Sequence, residues 1–129
     1  MRQPLAPATI RRMPRTILIV DDQAEFRRAI RALLEADGFE VIGEAADGEL
    51  AIAETKRLRP QLVLLDVQLP DLDGFQVAAR LAAEGDPPAI VLTSSRNASS
   101  YRRRLAQSPR LAFIPKSELS GEALAALVF

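Results

Sequence analysis

From Thr16 onward the chain alternates short, unbroken apolar runs with stretches in which apolar residues return every three or four positions. The first pattern reads as strands covered on both faces, the second as amphipathic helices. Thr16–Val20 is the first such run and stops abruptly at Asp21-Asp22. Phe26, Ile30, Leu33 and Leu34 then fall on one face of a helix, with Gly38 placed to cap its C-terminus. Phe39–Ala45 is a second, more mixed strand, and Gly48–Leu58 a helix with Ala51, Ile52, Thr55 and Leu58 on one side. Gln61–Asp66 is the third strand, apolar on consecutive residues. A turn through Leu69–Gly74 leads into a third helix reaching about Glu84, followed by a strand at Ala89–Thr93. Ser99–Gln107 reads as an Arg-rich helix, Leu111–Ile114 as the fifth strand and Glu118–Phe129 as the last helix. Five strands alternating with five helices predict an α/β fold, a parallel sheet with helices on both faces.

Composition narrows the class. The chain has 129 residues, 48% hydrophobic and 26% charged, which suits one globular domain with a sizeable core. No apolar run approaches the roughly 18 residues of a membrane span, and there is no apolar signal-peptide core. With no cysteine, disulfides and thiolate metal sites are excluded; the expected location is cytoplasmic, without membrane contact. Residues 1–14 hold three prolines and scattered arginines without periodicity, and are expected to be a disordered leader, or to precede a true start at Met13. Domain 15–129 follows. Net charge is zero, but Arg2, Arg11, Arg12 and Arg15 leave a mildly acidic remainder, poor material for direct nucleic-acid binding. The chain has no histidine, so any histidine-borne phosphoryl group must come from another protein. Arginine outnumbers lysine 15 to 2, which draws attention to Lys56 and Lys116.

Ligands of open parallel sheets bind beyond the carboxyl ends of the strands. Here those ends carry Asp21 and Asp22, Asp66, Thr93 and Ser94, and, just past the fifth strand, Lys116. Clustered carboxylates repel one another unless a proton or a cation intervenes. Mg²⁺ suits an all-oxygen site that also takes a phosphoryl group, and no His or Cys is present to favour zinc or copper. Each residue also has a plainer reading. Asp22 and Glu25 are spaced as a capping box, Asp66 could cap a turn, and Lys116, like Lys56, could be a surface lysine. Asp71 and Asp73 are expected to serve the turn and the start of the third helix, and Arg102, Arg103 and Arg104 a solvated face. The conjunction is much less expected by chance than any one member.

The pieces Ile-Leu-Ile-Val-Asp-Asp at 17–22, Leu-Leu-Asp at 64–66, Pro-Asp-Leu-Asp-Gly at 70–74, Ile-Val-Leu-Thr-Ser at 90–94 and Phe-Ile-Pro-Lys at 113–116 resemble, in order and spacing, the receiver domains of two-component response regulators. The resemblance implies a flavodoxin-like (βα)5 three-layer sandwich with strand order 2-1-3-4-5. It implies Asp66 as phosphoacceptor, with Mg²⁺ held by Asp21, Asp22, Asp66 and the backbone carbonyl of Gln68. Thr93 would be the switch hydroxyl, Phe113 the switch aromatic and Lys116 the phosphoryl-binding lysine. The implied partner is a sensor histidine kinase or phosphotransfer protein, with a homodimer on phosphorylation as one option. The implied activity is self-phosphorylation and self-dephosphorylation, not enzymatic turnover. Family members often carry proline after the lysine, whereas here Pro115 precedes Lys116 and Ser117 follows it. The stretch Val41–Gly48 resembles receivers that usually precede a DNA-binding domain, which suggests a receiver separated from a longer regulator.

Other readings fit less well. A haloacid-dehalogenase-type phosphatase also uses a strand-end Asp with Mg²⁺, but expects Asp where this chain has Gln68. A pseudo-receiver would signal without phosphate, yet every acidic position is filled. A flavodoxin would need backbone donors for a phosphate where the first loop offers two anions.

Overall fold

The computed structural model describes residues 15–128. The expected disordered leader at 1–14 and the last residue of the expected final helix, Phe129, lie outside them. The elements run β1 (Arg15–Val20), α1 (Ala24–Ala36), β2 (Phe39–Ala45), α2 (Gly48–Leu58), β3 (Leu62–Asp66), α3 (Gly74–Ala82), β4 (Ala89–Ser94), α4 (Arg102–Ala106), β5 (Ala112–Pro115) and α5 (Gly121–Val128). Short 3₁₀ turns occupy Ala98–Tyr101 and Lys116–Glu118. All strand pairings are parallel and the order is β2-β1-β3-β4-β5, the order that the family resemblance implied.

Alternation along the strands divides the core into two layers. Leu18, Val20, Val63, Leu65 and Leu92 face Ala51 of α2, Val77, Ala78 and Leu81 of α3, and Tyr101. Ile17, Ile19, Leu62, Leu64 and Val91 face Ile30 and Leu34 of α1 and Leu124 of α5. Each of the five residues of β3 is buried, because this strand lies between β1 and β4 under helices on both sides. Truncating such a side chain, as in Leu64→Ala, costs about 2–5 kcal/mol.

Several local expectations need correction. The expected Ser99–Gln107 helix is split, since the 3₁₀ turn at Ala98–Tyr101 swings Tyr101 into the core before α4 begins. The last helix starts at Gly121 rather than Glu118, because Leu119 is extended (φ −66°, ψ 132°). Ser120 Oγ accepts from Ala123 N–H (2.9 Å) and Asp37 Oδ2 from Gly121 N–H (2.9 Å), so the new helix end is capped at that later point. α3 ends at Ala82, two residues short of Glu84, where the Ala83 and Glu84 N–H groups turn back to Arg80 and Leu81. Leu33 is exposed, not part of the buried face with Ile30 and Leu34. Gly38 follows α1 at φ +96°, the left-handed conformation the C-cap requires.

Asp22 and Glu25 form no capping box: the N-cap of α1 is Gln23, without a side-chain cap. The capping box of this fold is Asp73 with Gln76 at α3. Asp71 does not serve α3 at all. Its carboxylate accepts from Gly48 N–H (2.7 Å) and Glu49 N–H (2.9 Å) at the start of α2, and from Leu72 N–H (2.8 Å) within the turn. Anions are favoured at any helix N-terminus, and the tertiary fold brings a different one within reach. Lys56 is the surface lysine expected, 3.9 Å from Glu84.

Candidate functional site

The parallel register carries the strand ends to one edge. Val20 pairs with Leu65, so Asp21 and Asp66 leave neighbouring strands at the same level, and Asp66 pairs directly with Thr93. Asp21, Asp66 and Thr93 continue the alternation of Ile19, Leu64 and Val91, so they belong to the α1–α5 side of the sheet. All three are buried, and Asp22 is exposed. One carboxylate oxygen each from Asp21, Asp22 and Asp66 lies within 4.8 Å of the others. Gly74 closes the floor: its N–H donates to the Val67 carbonyl (2.7 Å), and a Cβ there would stand 2.6 Å from the Asp66 carbonyl oxygen. Only glycine allows that approach.

Lys116 completes the cluster. Its Nζ lies 2.7 Å from Asp21 Oδ2 and 3.2 Å from Asp66 Oδ2, and 4.2 Å from the centroid of the Phe26 ring. The contact to Asp21 is an ion pair without hydrogen-bond alignment, and Asp21 Oδ2 is buried with no hydrogen-bond partner. Asp21 Oδ1 instead accepts from Gln23 N–H (2.8 Å), and Asp66 Oδ1 from Gln68 N–H (3.1 Å). Burial first, and then the adjacent Asp21, push Asp66 up to about 6, against the opposing Gln68 N–H and Lys116 charge. Burial pulls Lys116 down, but the two carboxylates more than reverse it, so its pKa is raised and it stays an ammonium.

The two hydroxyls at the end of β4 differ. Thr93 Oγ1 is buried without a partner, whereas Ser94 Oγ shares a 2.8 Å hydrogen bond with the Tyr101 hydroxyl and accepts from Arg96 N–H (3.1 Å). Phe113, the expected switch aromatic, is not among the acidic residues. It packs in the opposite layer, its ring 5.6 Å from Tyr101, which in turn lies 6.0 Å from Phe75.

Several neighbours of the site escaped sequence reasoning. Tyr101 sits in a polar, arginine-rich stretch, and being the only tyrosine of the chain was its one signal. Arg27 donates to the Asp21 carbonyl (2.6 Å) and to Glu44 (2.8 Å), tying the first loop to β2. Glu44 also receives Arg31 (2.6 Å); burial raises its pKa, but the hydrogen bonds from Arg31 and Arg27 leave it lowered. Phe26 read as an ordinary core position of α1. Arg104, expected on a solvated face, pairs with Asp73 (2.9 Å) and lies 4.1 Å over the Phe75 ring.

Volume does not locate the site. A cavity of about 540 Å³ opens at the other end of the sheet between Arg59, Pro60, Gln61, Pro87 and Pro88, away from every strand-end carboxylate. Among the described residues, no helix is long and apolar enough to cross a membrane.

Known proteins resemble this chain in sequence and fold. The chain is 38% identical over 102 residues to the Bordetella pertussis protein BvgA, covering 79% of this chain and 49% of that one. It is 37% identical over 82 residues to the transcriptional regulatory protein PdtaR of Mycobacterium tuberculosis, covering 64% and 40%. The chain thus spans about half the length, or less, of these curated relatives. The solved signal receiver domain of NarL from Mycobacterium tuberculosis superposes with a TM-score of 0.77 at 28% identity, covering 89% of this chain and 96% of that one. The response regulator receiver domain family matches residues 17–128, nearly the whole chain, and with the strand order and the strand-end acids in place the chain belongs to that family.

Proposed function

We propose that the chain takes a phosphoryl group onto Asp66 in a Mg²⁺-dependent reaction and uses the loaded site as a conformational switch. The observation that carries this reading is the partnerless Thr93 hydroxyl, buried on β4 in direct register with the buried Asp66. A hydroxyl donor with nothing to donate to costs free energy in the core. Beside a carboxylate that gains phosphoryl oxygens, it acquires its acceptor.

The donor set fits the metal. All three side-chain ligands are carboxylates, and the buried Asp21 Oδ2 already faces a cation, the Lys116 ammonium at 2.7 Å, as an oxygen suited to a metal would. Asp21, Asp22, Asp66 and the Gln68 carbonyl would hold the ion. Bound there, Mg²⁺ supplies positive charge to a pocket in which three carboxylates face one ammonium. Asp66 contributes the attacking oxygen: its new O–P bond forms as the P–N bond of a phosphohistidine breaks, and the imidazole leaves with its own protein. The chain itself has no histidine, so the donor histidine lies outside it, on a sensor histidine kinase or phosphotransfer domain. Lys116, already 3.2 Å from Asp66, and Thr93 then hold the phosphoryl oxygens, and Phe113 repacks as the strand ends close. The chain turns over no separate substrate. Its output passes by contact, and relatives described as transcriptional regulators favour a regulatory segment acting on transcription.

The test is intact-mass measurement after incubation with acetyl phosphate. One phosphoryl addition is expected with Mg²⁺, none with chelator and none in Asp66→Asn. An undiminished mass shift in Asp66→Asn would sink the assignment.

A further inference from the structure

Lys116 has two anionic neighbours and one neutral one. The neutral one is Phe26, in the first turn of α1, whose ring centroid lies 4.2 Å from Nζ while Asp21 and Asp66 hold it at 2.7 and 3.2 Å. An aromatic face attracts a cation through its quadrupole, more strongly where water is scarce. The Lys116 side chain is only 17% exposed. The first turn of α1 is itself fixed, although it lacks a side-chain cap. Gln23 N–H is held by Asp21, and Arg27 by the Asp21 carbonyl and Glu44. The ring is therefore aimed by the same loop that carries the acids.

We infer that Phe26 is a positioning residue, whose ring seats the Lys116 ammonium over Asp66. The inference rests on the reading of Asp66 as phosphoacceptor. A fourth carboxylate at this place would also hold the ammonium, but it would add charge to a pocket that must admit an anion. The ring holds the cation without adding charge. It also keeps the ammonium near Asp66 when Asp21 turns to a metal, since a contact with a ring face does not compete for the same oxygen. An aliphatic residue of similar size would fill the space and offer no face.

The chain has two lysines, so lysine-selective ¹³Cε labelling gives two resonances, assigned with Lys56→Arg. In metal-free protein the Lys116 ε-protons should be shifted upfield by the ring. The shift should vanish in Phe26→Leu and persist in Phe26→Tyr. With Mg²⁺, the affinity for beryllofluoride should fall roughly three- to tenfold in Phe26→Leu, the scale of a lost cation–π contact, and be largely restored by Phe26→Tyr. An unshifted Lys116 in the wild type overturns the seat. So does a Leu variant that binds like wild type, or equal losses in Leu and Tyr. A wild type that neither binds beryllofluoride nor gains mass overturns the underlying reading, and the inference with it.

Discussion

Consecutive residues at the end of β4 open onto two differently furnished layers. On the α1–α5 side, Thr93 faces the acids: its hydroxyl and Asp21 Oδ2 have no hydrogen-bond partners, and Asp66 is pushed up to about 6. On the α2–α3 side, Ser94 is hydrogen-bonded to Tyr101, whose ring packs between Phe75 and Phe113, and Arg104 covers Phe75. The first layer holds its carboxylates by Lys116 and two backbone N–H groups but leaves the Thr93 hydroxyl without a partner; the second pairs the Ser94 and Tyr101 hydroxyls. Buried polar atoms are normally paired, so an exception calls for an explanation, and a group that binds beside Asp66 would supply one for Thr93. The satisfied layer is coupled to the first by the pleat. Because Thr93 and Ser94 are adjacent and point oppositely, a backbone shift that carries Thr93 toward Asp66 also displaces Ser94 and its bond to Tyr101. Tyr101 and Phe113 are therefore the places to look for an effect of a change at Asp66.

The contrast can be broken most severely at Asp66. Its pKa is raised in the folded protein to about 6 from an ordinary 3.8, so the folded state binds the proton more tightly than the unfolded state. The associated stability is fully present below about pH 4 and is lost as pH rises through about 6, amounting to about 2–3 kcal/mol by pH 7. In chelator, chemical denaturation of wild type and Asp66→Asn from pH 4 to 7 should show the variant gaining on the wild type by about that much. Parallel curves would mean that burial and Asp21 do not strain Asp66.

Tyr101→Phe attacks the satisfied layer. It leaves the buried Ser94 hydroxyl only its bond from Arg96 N–H, and should cost about 1–2 kcal/mol in urea melts. It should also shift the amides of Ser94 and Phe113. Thr93→Val makes the matched change on the other side, where no bond is lost. It should leave stability unchanged or raise it by up to about 1 kcal/mol, while weakening beryllofluoride binding with Mg²⁺. A destabilisation equal to that of Tyr101→Phe would show that Thr93 has a partner after all. The smallest effect belongs to Arg104→Gln. It removes an exposed ion pair and a ring contact, and should cost no more than about 1 kcal/mol.

Much of this was legible in the residues themselves, for physical reasons. A central parallel strand must be apolar on both faces, so Leu62–Leu65 announced itself, and the acid that follows had to lie at the sheet edge. The same logic placed Asp21, Thr93 and Lys116 at that edge. What the pattern could not show were contacts between residues far apart in sequence. Asp71 beside α3 in sequence caps α2 in space, and Asp37 at the end of α1 caps α5. Tyr101 was hidden because a 3₁₀ turn, which lacks the 3.6-residue period, rotates it inward. Glu118 was displaced as the helix start by Gly121, whose N–H is held by Asp37, a contact only the fold supplies.

The order of apolar and polar residues by itself determined an alternating α/β chain and a set of charged groups at the strand ends, because periodicity and strand burial are local properties of the chain. The tertiary structure alone decided which groups are paired and which are left without a partner. It set Phe26 beneath Lys116 and Arg27 behind Asp21, and it gave Ser94 a partner in Tyr101 while leaving the Thr93 hydroxyl without one. Pairing depends on distances of a few ångströms between elements that the chain brings together only when the sheet is built, and no local pattern encodes those.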